Sequence, residues 1–183
     1  MERKQKIIIG IQMLVCAVLG GIAFFAYGYG GLKMARYFIL MFALCWLAAV
    51  DAKEQIVPNK AILWLVGIRL LLLVTEVFVY RNSGLIKELI MVPIIGMLIG
   101  GGVFLVAHLI TRNGIGMGDV KLFLTIGFYV GSTVIFPAMV LSLACMAVYG
   151  IVMVCRKKLS MKEKVPFVPF VAIGTIITLL MGF

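Results

Sequence analysis

Apolar residues along this chain neither alternate nor keep to one helical face. They run in nearly unbroken blocks, separated by short polar loops. The blocks are Ile7–Tyr27, Arg36–Val50, Ala61–Tyr80, Leu89–Ile110, Val120–Val130, Val134–Cys155 and Val165–Phe183. At 1.5 Å of rise per residue, a block near twenty residues crosses a hydrocarbon core about 30 Å thick. The pattern predicts an all-α, polytopic transmembrane bundle of about seven spans, within a range of about six to eight. Val120–Val130 is too short to span alone and is expected to borrow residues from its flanks. Ile7–Tyr27 follows the basic stretch Met1–Lys6 and so resembles a secretory signal. Its apolar part exceeds the usual h-region of about 7–15 residues and equally apolar blocks follow, so it is read as the first span. Residues 1–183 are expected to form a single membrane domain, without internal repeats.

Composition narrows the class further. The chain is 64% hydrophobic and 13% charged over 183 residues. Soluble domains are about 45–50% apolar and about 25% charged, and could not cover their surface with so little polar material. The net charge of +10 would suggest nucleic acid in a soluble protein. Here no basic stripe interleaved with aromatics occurs, and no nucleic-acid partner is expected. The basic residues lie in loops, where they report orientation. One side collects Arg3, Lys4, Lys6, Lys53, Lys60, Arg112, Lys121, Arg156, Lys157, Lys158, Lys162 and Lys164. The other collects only Lys33, Arg36, Arg81 and Lys87. By the positive-inside rule the N-terminus is expected in the cytoplasm, and the loops following Asp51 and preceding Asp119 share that face. Cys16, Cys45, Cys145 and Cys155 lie in or at the ends of apolar blocks, with no C-x-x-C spacing. They read as packing residues, and neither a metal site nor a cofactor is expected.

The chemistry rests on acids. The chain has only two aspartates, Asp51 and Asp119, and each sits where an apolar block meets a loop. A carboxylate at mid-bilayer costs about 2.5–3.5 kcal/mol, so one held at the membrane edge is a functional candidate. For Asp119 a helix N-cap is an equally natural role, because aspartate is among the best capping residues. Its context is Gly114-Ile115-Gly116-Met117-Gly118-Asp119. Gly116 and Gly118 remove side chains beside the carboxylate, which would let another backbone approach and a turn take positive φ. Asp51 opens the stretch running to Val57-Pro58-Asn59, where Pro58 imposes extended backbone before it. Two carboxylates drawn together repel, so one keeps its proton while the other is ionised. The ionised one can deprotonate water, and the protonated one can polarise a peptide carbonyl.

The segment Gly116-Met117-Gly118-Asp119-Val120-Lys121-Leu122 resembles the GxGD motif of type IV prepilin peptidases. Asp51 with the downstream Val57-Pro58-Asn59 resembles that family's first aspartate and its proline-asparagine pair. The stretch Pro166-Phe167-Val168-Pro169-Phe170-Val171-Ala172-Ile173-Gly174 is similar to its C-terminal proline-phenylalanine signature. The resemblance implies a polytopic aspartic endopeptidase of the inner membrane, with Asp51 and Asp119 as the catalytic pair at the cytoplasmic face. Gly116, Gly118, Lys121, Pro58 and Asn59 would support the site. It implies pilin-like precursors as partners, each with a short basic leader, a glycine before the cut and a hydrophobic helix after it. Longer members carry a loop with two C-x-x-C pairs associated with methylating the new N-terminus. This sequence has no such pairs, so cleavage without methylation is expected.

Other residues carry competing readings. Arg69 and Glu76, on one face of the third block, read as an ion pair inside the bundle, with tuning of the aspartates as the sharper alternative. His108 reads as a hydrogen bond between helices or as a proton relay. Gly96, Gly100, Gly101 and Gly102 read as close helix packing, and Pro93 as a kink. Arg156–Lys164 reads as a lipid-binding loop, at about 1 kcal/mol per charge. Lys121 either lowers the Asp119 pKa or snorkels to the interface. A presenilin-like protease shares the GxGD aspartate, but Val50 rather than Tyr precedes Asp51 and no Pro-Ala-Leu occurs. A small transporter would place ion-binding aspartates near mid-membrane within repeated halves, unlike this chain.

Overall fold

The protein was analysed as a computed structural model, which describes residues 30–111, 115–156 and 165–182 together with Val18, Gly21 and Gly28. The expected first span, Ile7–Tyr27, lies almost wholly outside the described residues. Six helices follow: α1 (Gly31–Glu54), α2 (Asn59–Val79), α3 (Ile86–Ile110), α4 (Met117–Val130), α5 (Ser132–Cys155) and α6 (Val168–Leu180). Each covers one predicted block, and no strand occurs among the described residues. Helices α1, α2, α3 and α5 are long and apolar enough to cross a membrane.

Helix α4 does borrow from its N-terminal flank, beginning at Met117 rather than Val120. Even so, its 14 residues extend only about 21 Å. It lies at the centre of the bundle, with Leu122, Phe123, Ile126 and Tyr129 without exposed surface. A helix apolar all round needs neighbours on every side, and α4 contacts α1, α2, α3 and α5. The most extensive of these contacts is with α3.

Glycine makes that contact close. Gly127 faces the Gly96 carbonyl so tightly that a Cβ there would overlap it, and a Cβ on Gly100 would overlap the Phe123 carbonyl. The packing reading therefore holds for Gly96 and Gly100. Gly101 meets Leu124, while Gly102 has nothing within 4 Å. Pro93 lies inside α3, buried, without ending the helix. Between α4 and α5 the chain turns on Gly131 alone, at φ 84°. This left-handed conformation suits glycine, and a Cβ would lie 2.6 Å from Val92 Cγ1. Helices α5 and α6 pack by the same device, Gly174 lying against Ser142.

Away from Asp51, the buried charges Arg69 and Glu76 form a cluster with the half-buried Arg36. Arg69, with no exposed surface, donates from Nη1 to Glu76 Oε2 at 3.0 Å and from Nε to the Phe128 carbonyl at 3.0 Å. Arg36 of α1 reaches Glu76 Oε1 at 3.2 Å. Arg69 and Glu76 thus form the ion pair within the bundle. Of the cysteines, Cys45 is buried in the core, Cys145 half-buried and Cys155 exposed.

Gly127→Ala should separate α3 from α4 and cost about 1–3 kcal/mol by overpacking. The apparent unfolding temperature of the detergent-solubilised protein should drop by several degrees, at about 2–4 °C per kcal/mol. Gly102→Ala, made into open space, should leave it unchanged or slightly raised.

Candidate active site

Asp51 lies in the last turn of α1, not in the loop that follows, and is 6% exposed. The helix stops at Glu54, and Gln55 takes left-handed backbone at φ 52°. The chain then reaches Pro58, the N-cap of α2, in extended backbone at φ −69° and ψ 122°. As expected of a residue that disfavours helix before it, Pro58 separates the two helices and ends the turn that Asp51 begins. Asp51 Oδ2 accepts the Val168 N–H at 2.9 Å, across 117 residues of sequence. Val168 is the first residue of α6, whose leading N–H groups lack intrahelical partners and favour negative charge.

Asp119 is not an N-cap. Gly116 occupies that position and Asp119 stands three residues further, in the first turn of α4. From there its side chain folds back to the start of the helix, where the Gly116 backbone N–H hydrogen-bonds it. A Cβ on Gly116 would lie 3.2 Å from Asp119 Oδ2. Close approach is therefore the use made of both motif glycines, since a Cβ on Gly118 would lie 3.2 Å from Val57 Cβ. The expected positive φ is absent. Gly116 sits at φ −66° and Gly118 is not among the left-handed glycines. The motif is a helix start in extended-to-helical backbone, which needs no left-handed residue.

These segments converge on one cavity of about 660 Å³ at a single end of the bundle. Asp51, Asp119, Gly116, Gly118, Asn59 and Lys121 line it. Pro58 lies behind it and faces a separate groove with Trp46 and Trp64. Lys121 Nζ donates to Asn59 Oδ1 at 3.0 Å, tying the N-terminal part of α4 to the first residue of α2. His108 Nδ1 lies 2.6 Å from the Ile115 carbonyl, which anchors the segment entering Gly116. As the donor of that bond His108 joins α3 to the glycine motif, the structural one of its two readings.

Asp119 precedes the apolar run Val120–Val130, and its surroundings disfavour the charged form. Burial pushes its pKa up to about 6, the Asp51 charge adds to the rise, and the Gly116 hydrogen bond opposes both. Lys121 is not among the causes. The two acids thus sit in unlike places: Asp51 beside the first N–H of α6, Asp119 where burial and the neighbouring carboxylate disfavour the charged form. Such a pair can hold one proton between a base and an acid. Among the described residues no group of three or more His, Cys, Asp or Glu side chains converges as a metal site would require.

Several lining residues carried no signal in isolation. Phe104 of α3 stacks on Phe123 at 4.0 Å between centroids, and Phe167 lies 5.9 Å from each. Phe104 and Phe167 reach the cavity, with Leu143 and Met146 of α5. Phe167 belongs to the proline-phenylalanine stretch, whose role is now physical: it presents the Val168 N–H to Asp51 and walls the cavity.

A family model described as the type IV leader peptidase family matches residues 38–151, a span that holds both aspartates. The chain belongs to this family. It is similar to a prepilin leader peptidase/N-methyltransferase of Stutzerimonas stutzeri, 26% identical over 173 residues, covering 92% of this chain and 57% of the relative. The protein of that name from Dichelobacter nodosus is 29% identical over 170 residues, covering 92% and 56%. One from Bacillus subtilis (strain 168) is 38% identical over 73 residues, covering 40% of this chain and 29% of the relative. The chain spans little more than half the length of the relatives that it matches along most of its own. No solved structure matches it.

The electrostatic asymmetry is open to direct titration. The Asp119 carboxyl, followed by isotope-edited infrared spectroscopy, should titrate near pH 6. Asp51→Asn removes the neighbouring charge, so the Asp119 pKa should fall. It should stay above the usual carboxylate range, because burial is the larger cause. An unchanged titration in that variant would mean that the two carboxyls do not sense one another.

Proposed function

We propose that this chain is a membrane aspartic endopeptidase that removes basic leader peptides from pilin-like precursors, with Asp51 and Asp119 as its catalytic pair. The observation that carries the reading is the convergence of both aspartates, from α1 and α4, on one cavity. Membership of the type IV leader peptidase family supports the same reading. So do the names of the relatives. The methyl-transfer activity in those names is not proposed for this chain, whose cysteines form no C-x-x-C pair.

The geometry distributes the roles. Asp51, bonded to the Val168 N–H at the start of α6, is the ionised base. Asp119 carries the proton and is the acid. A water between them gives a proton to Asp51 as its oxygen bonds to the scissile carbonyl carbon. Asp119 gives its proton to the carbonyl oxygen. As the tetrahedral intermediate collapses, the C–N bond breaks and the leaving amine takes the proton held by Asp51. The hydroxyl proton then returns to Asp119, which restores the starting state. No covalent intermediate forms, and net consumption is one water per peptide bond.

Asp51→Asn and Asp119→Asn should each abolish cleavage of a pilin-like precursor in membranes, as followed by gel shift. Asparagine keeps the shape without exchanging the proton, so each loss should be at least about 10²–10⁴-fold. Near wild-type processing by either variant would remove that residue from the mechanism.

The bias of basic residues supports a cytoplasmic orientation of this end of the bundle in the inner membrane, against anionic lipid. In a cysteine-free background, a cysteine at Gln55 should be shielded from an impermeant thiol reagent added outside intact cells. One at Asn82, at the far end of α2, should react. Labelling at position 55 from outside would invert the topology and put the aspartates beyond reach of a cytoplasmic leader.

A further inference from the structure

The aspartate cavity has two unlike walls. On one side are polar groups at the ends of helices, Gln55, Asn59 and Lys121. On the other are Phe104, Leu143 and Met146, which carry no charge. Leu143 lines the cavity and is 46% exposed, so α5 leaves the cavity uncovered at this point.

The burial of α5 marks the same place. Its buried residues, Val134, Ile135, Ala138, Met139 and Ser142, all precede Leu143. Beyond Ser142 one flank of the helix stays paired with α6, Tyr149 lying 5.0 Å from Phe170 between ring centroids. Leu143, Val148 and Ile151 remain exposed. Across the opening, α3 behaves alike beyond Phe104, with Leu105, Val106, Leu109 and Ile110 exposed. The ends of α3 and α5 are thus two apolar rails, and the floor between them leads to the aspartates.

We propose that the gap between the ends of α3 and α5 is the docking site for the apolar helix of the precursor, the segment joined to the scissile bond, with Leu143 and Met146 as its principal contacts. This rests on the peptidase reading above. Lipid chains can also lie on an apolar helix, but the continuity with the catalytic cavity selects a peptide. A helix lying along Leu143 and Met146 ends at Asp51 and Asp119, whereas the polar segment on the other side of the cut meets Gln55, Asn59 and Lys121. Inside a membrane such docking draws on van der Waals packing rather than hydrophobic burial. Met146, and Met117 at the mouth, are flexible enough to fit apolar helices of differing sequence.

The experiment uses the full chain in membranes with a pilin-like precursor bearing its apolar helix. Leu143→Trp and Met146→Trp fill the gap and should each raise KM about tenfold with a smaller change in kcat, the mark of lost ground-state binding. Leu71→Trp, on an exposed face of α2 away from the cavity, should leave KM unchanged. A photocrosslinking residue at position 143 of the Asp119→Asn protein should capture the uncleaved precursor through its apolar helix. The same residue at position 71 should not. This second measurement does not depend on the activity of the tryptophan variants. If the wild-type protein cleaves the precursor while position 143 crosslinks only lipid, or no better than position 71, the docking site is overturned and the peptidase reading stands. If the wild-type protein fails to cleave, the peptidase reading falls and takes the docking site with it.

Discussion

Arg69 has no exposed surface, and its guanidinium spends two of its donors on partners from different parts of the chain. Nε reaches the Phe128 carbonyl in the last turn of α4, and Nη1 reaches Glu76. The first bond satisfies a carbonyl that the end of a helix leaves open, at the negative end of its dipole. The second supplies a counter-charge, which Arg36 shares. Removing one member of such a buried pair strands the other, at a cost of about 3–5 kcal/mol. Helix α4 is too short to reach both membrane surfaces, so nothing in its own length sets its depth. Arg69 holds one end, and Gly96 and Gly100 let α3 hold the flank at backbone contact. The position of Asp119, one turn into the other end, follows from those constraints.

The second aspartate is placed by a single long-range bond. Asp51 at the end of α1 accepts from the first N–H of α6, so the same contact joins two helices and provides an anion's setting. Asp119 lies at a helix start too, yet burial and the neighbouring carboxylate outweigh the Gly116 hydrogen bond and push its pKa to about 6. Lys121 with Asn59, and His108 with Ile115, keep the intervening segments in register. Three side chains and one backbone carbonyl thus hold the segments around the aspartates.

The cavity joins two kinds of wall because it lies where helices end. Helix termini supply polar groups and turns, and apolar flanks continue beyond them. A site at such a boundary suits a chain that is itself part polar and part apolar. A cleft at mid-bilayer could not offer the polar wall without stranding its hydrogen bonds. A cavity at helix ends differs from the ion sites of a transporter, which belong midway along broken helices.

What the sequence alone determined is local or compositional. Unbroken apolar blocks specify spanning helices because the bilayer leaves the backbone no other partner, and six described helices lie where the blocks predicted. Two aspartates among so few charges, one beside paired glycines and one before Pro58, stood out as candidates because acids are rare in such a chain, and both line one cavity. The tertiary structure decided everything that depends on contacts between distant residues. It made Asp119 a third helical residue rather than a cap, and gave Gly116 and Gly118 a packing role without positive φ. It resolved Arg69 and Glu76 as the clasp of α4, paired Lys121 with Asn59 rather than with the acid, and chose Val168 as the partner of Asp51. It also revealed Phe104, Leu143 and Met146 as the apolar wall. In a membrane chain these residues look like any other lipid-facing or core side chain, because hydrophobicity is uniform around the helix and carries no period. Only packing distinguishes the face turned to a neighbour from the face turned to a cavity.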